Sequence, residues 1–236
     1  MDSILRLQEV NTFYGKSHIL HGITIEVHKN EIVCLLGRNG VGKTTTLKSI
    51  MGLTPPKSGS IYFKGENISQ MEDYLISRLG IGYVPQGRHI FPDLTVKENL
   101  KIGIVMRNAQ IKSYEEIFGY FPILRERLNQ LGGTLSGGEQ QMLAIARALV
   151  PNPTLILLDE PSEGLMPKMV KLVVEIIQKI NGTGVSILWV EQKLVTVKEV
   201  SHRIQLISKG RVEYQGTPKE LMENREIQLR YLGVKV

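Results

Sequence analysis

Gly37-Arg38-Asn39-Gly40-Val41-Gly42-Lys43-Thr44 is the stretch that decides the fold. It matches Gly-x-x-x-x-Gly-Lys-Thr in full, follows the nearly all-apolar run Glu31–Leu36 and precedes a helix predicted to begin near Lys43. Glycines let the backbone curl so that successive N–H groups face phosphate oxygens, and the helix N-terminus adds its positive dipole end. Lys43 supplies a point charge for β- and γ-phosphates, and Thr44 a hydroxyl for Mg²⁺. A chance match in a chain of this size is on the order of one in a hundred.

Outward from this cradle, Glu31–Leu36 reads as a strand buried on both faces, as in a parallel sheet. Thr154–Leu158, Val185–Val190 and Arg203–Ile207 have the same character. Between the first two of these, Pro167–Ile180 carries Met169, Val170, Val173, Val174, Ile176, Ile177 and Ile180 at helical spacing. Strand, helix, strand, repeated, predicts an α/β sheet with crossover helices. Upstream, Ile4–Val10 and Ile19–Val27 alternate apolar and polar, with turn-like Asn11 and Gly15 between them. Ile61–Phe63 follows the turn cluster Pro55-Pro56-Lys57-Ser58-Gly59, and together these predict an antiparallel layer. Pro92–Ala148 is mostly helical in pattern, with no buried-strand signal after Tyr83–Pro85, and reads as an inserted helical subdomain.

The 236 residues suit one domain, long enough to bury a good core. With 29 Lys+Arg against 23 Asp+Glu the net charge is +6, a modest excess that reads as a solvated surface. No run of five basic residues occurs and only 6% of residues are aromatic, so a nucleic-acid partner is not expected. The single cysteine, Cys34, excludes an internal disulfide and a four-thiolate zinc site, and reads as a small buried hydrophobe. His18, His21, His28, His89 and His202 have no acid partner at metal spacing, and Trp189 and the methionines read as packing. The longest apolar runs are strand-sized, and Met1-Asp2-Ser3 opens no apolar signal region; an intracellular soluble or peripheral protein is expected.

Leu155-Ile156-Leu157-Leu158-Asp159-Glu160 is the natural partner of the cradle: a buried strand ending in two acids, beside it if the two strands are neighbours. Asp159 is suited to bind Mg²⁺ directly or through water, and Glu160 to orient or deprotonate an attacking water. A Mg²⁺-dependent NTPase follows. Leu135-Ser136-Gly137-Gly138-Glu139-Gln140-Gln141 then precedes a predicted helix, Gln140–Leu149. Ser136 caps it and two glycines expose N–H groups, which makes a second anion-binding device. One nucleotide does not need two cradles; two chains dimerised head to tail would each lend the second to the other.

This constellation resembles the ATP-binding-cassette ATPases over nearly the whole chain. The resemblance makes Gly37–Thr44 the Walker A motif, with Thr45 after it, Leu135–Gln140 the signature and Leu155–Asp159 the Walker B motif, followed by Glu160. Gln86, in Tyr83-Val84-Pro85-Gln86-Gly87-Arg88, matches the Q-loop glutamine, implied to touch Mg²⁺ or the attacking water while its segment docks the transmembrane partner. Tyr14 matches the adenine-stacking aromatic. The implied architecture is a P-loop cassette with a RecA-like core and antiparallel β subdomain over 1–86 and 151–236, and a helical subdomain over 87–150.

Val84–Val96, Asp159–Leu165, Trp189-Val190-Glu191-Gln192 and the ending Tyr231-Leu232-Gly233 resemble the shorter ATPase subunit of branched-chain amino-acid uptake systems. The urea or short-chain amide uptake ATPase is a close sister. Both imply ATP and Mg²⁺, a second non-identical ATPase, a nucleotide-dependent dimer, two membrane permeases, an external solute-binding protein and a place on the cytoplasmic face of the inner membrane. Two positions depart from the family pattern. Gln192 stands where a switch His is usual, and Met166 where the D-loop usually ends in Asp, which puts the standard cross-dimer Asp contact in doubt. The rival readings are a soluble cassette ATPase of an assembly or repair machine, and a small-molecule kinase; the signature argues against the kinase.

Overall fold

A computed structural model describes residues 2–105 and 112–232. Of the stretches quoted above, Met1, residues 106–111 within Pro92–Ala148, and Gly233 fall outside the described residues. In chain order the elements are β1 (Ser3–Tyr14), β2 (Ser17–His28), β3 (Ile32–Leu36), α1 (Lys43–Ile50), β4 (Ser58–Phe63), β5 (Glu66–Asn67), α2 (Asp73–Leu79) and β6 (Ile81–Val84). Then come α3 (Val96–Val105), α4 (Tyr114–Tyr120), α5 (Pro122–Glu126), α6 (Gly137–Leu149), β7 (Leu155–Asp159) and α7 (Pro167–Asn181). β8 (Ser186–Glu191), α8 (Leu194–Val197), β9 (Arg203–Ser208), β10 (Arg211–Gly216), α9 (Pro218–Glu223) and α10 (Arg225–Ile227) follow, with short helical turns at Gly132–Thr134 and Gln228–Leu232.

A six-stranded sheet has the order β10-β9-β3-β8-β7-β6, all parallel except β10, which pairs antiparallel with β9. A four-stranded antiparallel sheet, β2-β1-β4-β5, covers one face of it. The expected α/β cassette with an antiparallel layer is therefore present, and the inserted helices α3–α6 come between β6 and β7.

The apolar strands face two cores, which is why they read as unbroken runs. In β3, Ile32, Cys34 and Leu36 point to the helices, whereas Val33 and Leu35 point to the antiparallel sheet and α1. In β7, Ile156 and Leu158 take the first side, Leu155 and Leu157 the second. β1 keeps Leu5, Leu7 and Val10 inward by inserting a bulge at Glu9, whose φ of 48° breaks the alternation and restores it one residue later.

The strand order left open by the sequence is now fixed. β3 and β7 are not neighbours; β8 lies between them, parallel to both. α1 bridges the gap, and Thr44 in its first turn reaches Asp159 at the end of β7. The helix read as Gln140–Leu149 starts earlier, at Gly137. Ser136 and Glu139 form a reciprocal capping box, so the two glycines are the helix's first turn and not a preceding loop.

Candidate active site

Three loops meet at the C-terminal ends of the parallel strands, where ligands sit in open α/β sheets. The loop after β3 winds through Gly40 (φ 75°) and Gly42 (φ 110°), the left-handed region in which a side chain is strained. A Cβ on Gly42 would also lie 2.7 Å from Leu20, so this position needs glycine twice over. The curl brings Lys43 back under the loop: its ammonium donates to the carbonyls of Gly37 and Arg38, each at 2.9 Å. Its remaining partner is Glu160 at 3.1 Å, with both side chains buried. Glu160 also accepts a short hydrogen bond from the Gln192 amide. Lys43, Glu160 and Gln192 thus form one chain of contacts across three strand ends.

Tyr14, Asn39, Gly40, Gly42, Lys43, Thr44, Thr45, Gln86 and Glu160 share one cleft of about 340 Å³, and Ile19 completes its wall. Tyr14 is 45% exposed at the end of β1 and lines the cleft, and an aromatic ring there can stack on a planar ligand. Gln86 lies at the cleft edge, and its amide donates to Glu163 at 2.8 Å. Gly37, Arg38 and Val41 belong to the same loop without lining the cleft wall. Ser136, Gly137 and Gly138 do not line it either. They sit at the start of α6, where Ser136 accepts from the Glu139 amide and the Glu139 carboxylate, paired with Arg127 at 2.8 Å, accepts from the Ser136 amide. Arg88 lies against Gly137 and donates to Gln140 at 3.2 Å.

A magnesium ion bound with a nucleotide needs few protein ligands, because phosphates and water supply the others. Asp159 and Thr44 fit that role. Thr44 donates to Asp159 Oδ1 at 3.1 Å, while the buried Oδ2 has no hydrogen bond of good geometry. Burial, chiefly, and the Glu160 charge raise the Asp159 carboxyl to about 6, against the pull of Thr44, Lys43 and Lys48. A buried carboxylate short of donors and next to a second acid accommodates a cation readily. Burial and then the nearby Asp159 charge hold the proton on the Tyr83 hydroxyl well above the ordinary range. Among the described residues, no group of three or more His, Cys, Asp and Glu side chains could hold a metal by itself.

Sequence reading missed three participants. Ile19 carried no signal beyond strand alternation. Glu163, partner of Gln86, and Glu191, beside Gln192, stand in stretches whose resemblance is visible without revealing a role.

The family model described as ABC transporter matches residues 20–163, more than half of the chain. This chain belongs to the ABC transporter family. It is an ABC ATPase, the energy-supplying subunit of a transporter. The high-affinity branched-chain amino acid transport ATP-binding protein BraG of Pseudomonas aeruginosa is 40% identical over 232 residues, 98% of this chain and 100% of that protein. The probable branched-chain amino acid transport ATP-binding protein LivF of Archaeoglobus fulgidus is 37% identical, over 98% of this chain and 99% of that one. The lipopolysaccharide export system ATP-binding protein LptB of Haemophilus influenzae is 36% identical over 98% of both. Among solved structures, a nucleotide-free cassette from an ABC transporter superposes with TM-score 0.87 at 24% identity, covering 99% of this chain and 100% of that one. A dimeric cassette in a post-hydrolysis state with ADP and Pi superposes with TM-score 0.81 at 27% identity, covering 91% of this chain and 98% of that one.

Proposed function

We propose that this ABC ATPase powers import of branched-chain amino acids. The observation that carries the reading is full-length similarity to BraG and LivF at 40% and 37% identity. The chain acts with a second, non-identical ATPase, two membrane permeases and an external solute-binding protein, on the cytoplasmic face of the inner membrane. Among the described residues no helix is long and apolar enough to cross a membrane, consistent with a peripheral place.

The chemistry assigned to the cleft follows from its residues. Tyr14 stacks on the adenine, and the N–H groups of Gly37–Thr45 cradle the phosphates. Thr44, Asp159 and Gln86 would hold Mg²⁺, and the ion would supply neutralisation of phosphate charge there. Lys43 exchanges Glu160 for a phosphate oxygen. Glu160, released, takes a proton from the attacking water, and Gln192 turns its amide to the γ-phosphate. Ser136, Gly137 and Gly138 complete the site of the partner ATPase in a head-to-tail dimer; a solved relative is a dimer bound to ADP and Pi. Differential affinity for ATP and ADP then opens and closes the dimer.

Permease docking is supported by a groove of about 260 Å³ between the sheet edge and the inserted helices, lined by Tyr83, Phe91, Ile102 and Arg147 among others. Phe91 is exposed and stacked by Arg147 at 5.1 Å, and it shares the segment after β6 with Gln86. A motion of Gln86 at the nucleotide therefore has a short path to the groove.

LptB similarity, only slightly lower, favours lipopolysaccharide export as the second reading. Co-purification with candidate partners discriminates them. The import reading expects this chain to copurify with two multispan permeases and a second cassette, and its ATP turnover to rise when a leucine-loaded binding protein is added. Copurification with an export assembly, or stimulation by urea in place of leucine, would contradict it.

A further inference from the structure

Glu191 is a buried carboxylate, 3% exposed, with no part in the chemistry above. It ends β8 immediately before Gln192. Its Oε2 accepts from the Ser162 hydroxyl at 3.0 Å and from the Trp189 indole at 3.3 Å. Ser162 lies just past Glu160, and Glu160 is strained: its φ is 48°, which a non-glycine residue adopts only when its surroundings impose it. Two backbone bonds help to impose it, Glu160 N–H to Val190 O at 3.0 Å and Glu163 N–H to Glu160 O at 3.1 Å. Besides the Glu160–Gln192 bond, the Ser162–Glu191 bond is a second side-chain tether between this turn and the strand end carrying Gln192. Burial, with a smaller push from the Glu160 charge, raises the Glu191 carboxyl, and the Ser162 hydroxyl, the Gln192 backbone N–H and the Trp189 indole draw it back.

We propose that Glu191 is a positioning residue for hydrolysis: through Ser162 it pins the strained turn at Glu160 to the end of β8, and so fixes the Glu160 carboxylate against the Gln192 amide. The inference rests on the assignment of Glu160 as the general base. A buried, hydrogen-bonded carboxylate is costly to keep. A leucine at this position would fill the volume without the cost, but it would leave Ser162 and Trp189 without an acceptor.

Steady-state turnover of Mg-ATP by the full chain tests it, with nucleotide affinity measured separately. Ser162→Ala and Glu191→Leu are each expected to lower kcat about 10-fold while ATP affinity stays within about twofold. Glu191→Gln, which still offers an oxygen to Ser162 and Trp189, should retain about half the wild-type rate or more. In a Glu160→Gln background Ser162→Ala should cost nothing further, because the group it positions is gone. Ser162→Ala, which removes a single hydroxyl, carries the test should Glu191→Leu not fold. Unchanged kcat in Ser162→Ala, losses that multiply in the double variant, or a Glu191→Gln as slow as Glu191→Leu would each overturn the inference alone. Undiminished turnover in Glu160→Gln would overturn the base assignment and this inference with it.

Discussion

Lys43 Nζ and Glu160 Oε1 stand 3.1 Å apart, 4% and 5% exposed, in a cleft meant for a tetra-anionic nucleotide. The ion pair gives each buried charge a partner. Under the base role proposed for Glu160, it would also couple arrival of a phosphate at Lys43 to release of that carboxylate. Glu160→Gln removes the competitor for Lys43. ATP binding should be undiminished or tighter, while turnover falls at least about 10²-fold, the scale of lost general-base catalysis. Calorimetric titration with ATP and a phosphate-release assay read the two effects separately.

The signature residues lie outside this chain's own cleft, so their effect should appear in the partner's. Ser136→Arg should leave nucleotide affinity of the isolated chain within about twofold, while it blocks ATP-driven association and the partner site's turnover. Nucleotide titration of the isolated variant, with sedimentation in ATP, checks both. A large affinity loss in the monomer would mean that the second cradle acts in cis.

Asp159 carries the pH dependence. Its carboxyl is raised from 3.8 to about 6 in the fold, so the folded chain binds the proton more tightly than the unfolded chain. That contribution to stability is complete below about pH 4 and is lost as pH rises through about 6, at a scale of about 3 kcal/mol. Asp159→Asn should therefore melt higher than the parent at pH 8 without nucleotide, with the difference shrinking toward pH 4. Its Mg²⁺-dependent ATP binding should be lost. Melting curves at a series of pH values, with and without Mg-ATP, give both answers.

Cores were more legible than order. The two-faced burial of β3, β7 and β8 comes directly from their unbroken apolar runs, since Val33 and Leu35 serve one core and Cys34 and Leu36 the other. Nothing in such runs says which strand lies beside which, and so the insertion of β8 between β3 and β7 was invisible. β10 only half-buries Val212 and Tyr214, so its sequence lacks the unbroken apolar run that marks the central strands. The glycine pair at 137–138 reads as a turn from propensity alone, but the Ser136–Glu139 capping box makes it helix. At the site, backbone cradles are readable because they need glycine at fixed spacing. Glu163 and Glu191 act through side-chain contacts between segments far apart in sequence, which spacing does not encode.

Gln192 predicts an asymmetry between the two sites of the dimer. Its amide can donate to a phosphate but cannot become a cation near neutral pH, as a histidine can. The site built on this chain's Walker A should be the slower of two unequal sites wherever the partner ATPase keeps a histidine. Glu160→Gln here and the matching change in the partner, compared in the assembled complex, measure it. A larger loss from Glu160→Gln would reverse the asymmetry.

The most direct measurement is uptake of labelled leucine, isoleucine and valine into vesicles carrying the assembled complex, with ATP on the side of this chain and binding protein on the other. The account predicts saturable, ATP-dependent accumulation of all three amino acids, absent with urea and reduced at least about 10-fold by Glu160→Gln. ATP-dependent uptake of urea without the amino acids, or amino-acid uptake unaffected by Glu160→Gln, would contradict it.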